Sequence, residues 1–84
     1  MNQRQIEAYA RLYDVMQEKT PFVIDWQDRN QSKHYITHST LTGNYFIDFS
    51  FKYRTIGVLH GSLEACQFII DNHKKDLDIL RGAL

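Results

Sequence analysis

With 84 residues the chain has room for one hydrophobic core. Hydrophobic residues make up 43% and charged residues 24%, ordinary globular usage that separates the chain from disordered sequences. Ten Lys and Arg balance ten Asp and Glu, so no net field draws the protein to DNA, RNA or an anionic membrane. No apolar run approaches the ~20 residues of a membrane span, and none follows Met1 as a signal peptide would require. The expectation is a single cytoplasmic domain with no membrane partner.

From Asn2 to Glu18, the residues Ile6, Tyr9, Leu12, Tyr13 and Met16 recur at spacings of three and four, which predicts an amphipathic helix. Asn2 caps its first turn and Gln5 reaches back, an amide capping box. Lys19-Thr20-Pro21 ends it, because the residue before a proline disfavours the α region. Phe22 to Trp26, rich in β-branched and aromatic residues, predicts a first strand with Phe22, Ile24 and Trp26 on one side. The polar residues Gln27 to Ser32 predict a hairpin loop.

A second strand is expected over Lys33 to Thr40 and a third over Asn44 to Arg54, joined through Thr42-Gly43-Asn44. The third alternates most cleanly, with Tyr45, Ile47, Phe49, Phe51 and Tyr53 on one side and Phe46, Asp48, Ser50, Lys52 and Arg54 on the other. Thr55 to His60 reads either as a fourth strand or as the third continuing past a bend at Gly57. Ser62 then caps a long helix whose stripe is Leu63, Cys66, Ile70, His73, Leu77, Leu80 and Leu84, widened by Ile69. The predicted fold is α+β, a helix, a three- or four-stranded antiparallel sheet and a helix, αβββ(β)α, with the helices on one face.

Little in the chain predicts catalysis. His34 and His38 have a spacing that serves a metal on a helix, but four residues along a strand cover about 13 Å, so no metal is expected there even with His60, His73 or Asp48 nearby. Asp25 and Asp48 show no pattern that brings them together as an acid–base pair. Cys66 sits among helical apolar positions, where a thiol packs as a small hydrophobe. No Gly-x-Ser-x-Gly, glycine-rich phosphate loop or Cys-x-x-Cys pair occurs. The expectation is a protein that is not an enzyme and carries no cofactor.

The order of helix, three strands and helix resembles the double-stranded-RNA-binding domain, most closely at Gly61-Ser62-Leu63-Glu64-Ala65, where that family begins its second helix. The resemblance implies phosphate-binding lysines in the first turns of that helix. This chain has Leu63, Glu64, Ala65 and Gln67 there, and Lys74 and Lys75 about three turns later. The sheet is also loosely similar to the three-stranded DNA-binding modules at the start of some phage and transposon integrases. That likeness implies a reading face of His34, His38, Phe46, Lys52 and Arg54, with Asp25 and Asp48 on it repelling phosphates. At most weak nucleic-acid binding is expected.

Five Tyr, five Phe and one Trp are more than one small core needs, and Tyr and Trp are the residues that supply binding energy at interfaces. On a continuous last helix Phe68 and Ile79 fall opposite the apolar stripe, beside Lys75. These three residues are the predicted contact surface for another protein or for a second copy of the chain in a homodimer. In size and style the chain is similar to small accessory and inhibitor proteins of phages and other mobile elements.

Overall fold

The computed structural model describes residues 1–50 and 59–83. Helix α1 (Gln3–Lys19) is followed by strands β1 (Lys33–His38) and β2 (Tyr45–Ser50), then by helices α2 (Leu63–Asn72) and α3 (Lys74–Leu80). The chain is thus a small mixed α+β domain. Among the described residues the sheet has two strands rather than the three or four expected. Arg54, Lys52 and the Thr55 to Val58 part of the candidate fourth strand lie outside the described residues.

α1 begins as its sequence predicts. The Asn2 side chain accepts from the Gln5 N–H, and the Gln5 side chain accepts from the Asn2 N–H, both at 2.9 Å. Its buried face differs from the predicted stripe. Ala8, Leu12 and Met16 are buried with Val15 packed beside them, whereas Ile6 and Tyr13 are exposed. The buried face therefore runs through Ala8, Leu12 and Met16, which leaves Ile6 and Tyr13 on the outer side of the helix.

The segment from Phe22 to Trp26 forms no strand. Asp25 accepts from the Gln27 N–H at 2.9 Å, and the Gln31 side chain accepts from the Asp25 N–H and donates to the Val23 carbonyl. These side-chain bonds occupy the backbone groups that a ladder would use. The loop they hold crosses back over the sheet at Trp26. There the Lys33 side chain is completely buried, its Nζ donating to the Asp28 carbonyl at 2.6 Å and lying 5.4 Å from the Trp26 ring centre.

β1 and β2 pair antiparallel in the register Lys33 with Ser50, His34 with Phe49, Tyr35 with Asp48, Ile36 with Ile47, Thr37 with Phe46 and His38 with Tyr45. Gly43, with a φ of 75°, makes the left-handed residue of the turn between them. On the other side of β1, His34 exchanges two backbone hydrogen bonds with Gly61, an isolated bridge. A Cβ at Gly61 would stand 2.4 Å from Thr20 Oγ1 and 2.6 Å from Met16 Sδ, so only glycine lets α1 come this close. Ser62 completes the joint by donating to the Lys19 carbonyl and accepting from the Ala65 N–H at the start of α2.

The predicted long last helix is broken at His73. The Asn72 side chain donates to the Phe68 carbonyl at 2.9 Å, a local bond that competes with the helical ladder, and His73 takes φ −129° and ψ 30°. α3 then runs antiparallel along α1, with Gln5 donating to the Leu80 carbonyl and Arg11 forming a bidentate pair with Asp76. The core lies between the helices and one face of the sheet. Leu12, Met16, Ala65, Cys66, Ile69 and Leu77 form it, with Ile36 and Ile47 packed on it from the strands. A cavity of about 90 Å³ lined by Leu12, Ile36, Ile69 and Leu77 remains in this layer. No helix among the described residues is long and apolar enough to cross a membrane.

Candidate functional site

The break at His73 removes the geometric basis of the predicted contact surface. Ile79 belongs to a separate helix and is 5% exposed, so it faces the interior rather than solvent. Phe68 is half-buried, with the Lys19 ammonium 4.5 Å from its ring centre and His73 against its side. Lys75 alone of the three is exposed. A helical wheel drawn through all residues from Leu63 onward assumes one axis, and the molecule has two.

The candidate nucleic-acid face is likewise divided. Residues directly opposite in the ladder share a face, so His34 and His38 lie with Ile36, Tyr45, Ile47 and Phe49 on the side that meets the helices. Phe46 and Asp48 are on the reverse side, with Tyr35. His34 Nδ1 is buried and has no hydrogen-bond partner among the described residues. Asp48 accepts from the Phe49 N–H, and Asp25 belongs to its own loop turn. Among the described residues no group of three or more His, Cys, Asp or Glu side chains could hold a metal ion.

Two further groups are held in non-reactive states. Burial pushes the Cys66 thiol up to about 12, far from the thiolate range useful to a nucleophile. Tyr45 is also raised to about 12, by burial and by donating its hydroxyl to Asp78. Arg81 lies over the Tyr45 ring at 5.2 Å and 3.6 Å from Asp78, so this cluster closes the end of α3 on the sheet.

What the fold does assemble is a groove of about 170 Å³ between α1 and the loop after it. Tyr9, Tyr13 and Gln17 rise from one wall, spaced four residues apart along α1, Ile24 and Trp26 form the other, and Leu59 and His60 lie at its base. Trp26 meets His60 edge-on with ring centres 4.9 Å apart, and the Tyr35 ring packs at a tilt on the same imidazole at 5.3 Å. His60 is buried, which fixes the position of both aromatic neighbours. Past Gln17 and Ile24 the groove opens onto a shallow depression lined by Thr20, Pro21, Phe22 and Val23. Val23 is 89% exposed at its rim.

None of these lining residues was marked as a binding surface by the sequence. Tyr9 and Tyr13 read as core, and Ile24 and Trp26 as the inward side of a strand. The available signal was the surplus of aromatic residues over what a core of this size can hold. No protein-family model matches the chain, no curated protein matches it, and no solved structure matches it.

Proposed function

We propose that this chain is a small non-catalytic protein-binding domain, acting as an accessory or inhibitor protein on another polypeptide. The carrying observation is the groove, whose walls combine aromatic rings with the hydroxyl groups of Tyr9 and Tyr13 and the amide of Gln17. Such side chains give large contact area with few torsions to freeze, while the polar tips satisfy the backbone of a bound segment. Tyr13 is exposed on the groove wall, and exposed Val23 extends this surface beyond it. Zero formal net charge leaves recognition to local shape and hydrogen bonding rather than to long-range attraction.

The test is affinity capture from the native host with the purified chain, joined to mass measurement of the complex. The double variant Tyr13→Lys, Val23→Lys should lose the captured protein while keeping the far-ultraviolet spectrum of the folded chain. Equal capture by this variant would move the binding surface away from the groove. Absence of any specific partner would count against the reading as a whole.

A further inference from the structure

Given that the groove is the binding surface, its walls select for one kind of occupant. Tyr9, Tyr13, Gln17 and Trp26 line it, and their phenol, amide and indole groups make no hydrogen bond with a described residue. The indole N–H can only donate, and the phenols and the amide can donate as well as accept. A ligand rich in free carbonyl oxygens satisfies all four.

Neither wall is a strand. One is α1, and in the other Gln31 accepts from the Asp25 N–H at 2.8 Å and donates to the Val23 carbonyl at 3.0 Å. A segment bound in β conformation would bring backbone N–H groups with no ladder to join. Polyproline II has no internal hydrogen bonds and leaves its carbonyls open, and each proline removes an N–H. The lengths also agree. At about 1.5 Å per helical residue the wall from Tyr9 to Gln17 is about 12 Å long, which about four residues of polyproline II span at about 3.1 Å each.

Charge adds a second constraint. Among the described residues no Lys, Arg, Asp or Glu lines the groove. Asp14 and Glu18, which follow Tyr13 and Gln17 along α1, and Asp25, between Ile24 and Trp26, are exposed and form no ion pair with a described residue. The cations nearest in the chain are committed elsewhere, Arg11 to Asp76, Lys19 to the Phe68 ring and Lys33 to the interior, which leaves Arg29 of the loop. The surroundings of the groove are therefore net acidic, and a basic residue beside an uncharged core complements them.

We propose that the groove binds a proline-rich segment of another protein in polyproline II conformation, about four residues long, with an arginine or lysine at one end. Its prolines pack on the rings of Tyr9, Tyr13 and Trp26, and its carbonyls accept from the hydroxyl and indole groups and from Gln17. The segment arrives with its backbone already restricted, so little entropy is lost on binding.

Trp26 is the single tryptophan of the chain, so its fluorescence reports on the groove. The full chain is titrated with a synthetic proline-rich peptide ending in arginine, the same peptide with alanine for each proline, and the proline peptide with glutamate for the arginine. The expected result is a saturable change in Trp26 emission with the first, and affinity about tenfold or more weaker for the alanine peptide and several-fold weaker for the glutamate peptide. Tyr13→Ala, at an exposed position that leaves the fold intact, should weaken the first peptide about tenfold. No saturable change up to millimolar peptide overturns the proposal, as does an alanine peptide that binds as tightly or a Tyr13→Ala chain of unchanged affinity. Equal affinity for the glutamate peptide overturns its basic end. Loss of the captured host protein by Tyr13→Lys, Val23→Lys alongside any of these failures would leave the groove reading standing and strike only its proline-rich occupant.

Discussion

The helical layer and the sheet with its covering loop differ in how much of their apolar surface is buried. Between the helices Ala8, Leu12, Met16, Ala65, Cys66 and Ile69 are all buried, and polar contacts such as Arg11 with Asp76 lie at the margin. On the sheet and loop Phe22, Val23, Leu41, Phe46 and Phe49 remain exposed. A helix presents one stripe and can bury it wholly against two neighbours. A two-stranded sheet has two faces and two edges, and the helices cover one face. The buried core is thus concentrated between the helices, while exposed apolar side chains occur on the sheet and loop and also at Ile6, Tyr13 and Leu63 on the outer faces of the helices.

Substitutions should separate the two layers by size of effect. Ile69→Ala, at the centre of the helical core and beside the existing cavity, is expected to cost about 2–5 kcal/mol in urea unfolding. A loss no larger than a surface change would place the core elsewhere. Gly61→Ala puts a methyl group against Thr20 and Met16 where the layers meet, and is expected to cost about 1–3 kcal/mol through overpacking. Met16 is flexible enough to yield in part, so this effect ranks below the first.

The margin of the helical layer should show itself through pH. The hydrogen bonds from Arg11 hold the Asp76 carboxyl below its ordinary value of 3.8. A carboxylate with a lowered folded pKa contributes stability above the unfolded value and loses it as pH falls through the folded one. Arg11→Met should therefore lie slightly below the unsubstituted chain in thermal melts at neutral pH, with the gap closing at acid pH below the ordinary carboxylate range. A gap that persists in acid would assign the effect to packing of the arginine stem. The smallest change is expected on the sheet side, where Val23→Ser should alter stability by no more than about 0.5 kcal/mol. A larger loss would show that the loop over the sheet carries part of the core.

Single-residue chemistry was legible without coordinates. Asn2 and Gln5 form the capping box their spacing implies, Ser62 caps α2, Gly43 takes the positive φ of its turn, and Cys66 is buried. The alternation over Tyr45 to Ser50 set the right faces for Tyr45 and Ile47, which pack on the core. Each of these follows from a few neighbouring residues and a local rule.

The rest depended on which surfaces meet. Phe22 to Trp26 has strand composition, but Gln31 and Asp25 take its backbone hydrogen bonds and Trp26 is drawn onto Lys33 and His60. Ile79 changes from an outward to an inward residue because Asn72 and His73 interrupt the helix and α3 turns to lie along α1. Tyr13, inward by periodicity, is outward because the neighbours of α1 meet it on the face of Ala8, Leu12 and Met16. The sequence by itself determined the caps, the turn and the helix–sheet composition, whose energies are local. Only tertiary structure decided which apolar faces are buried, because the direction of a stripe is relative to neighbours that local spacing does not specify.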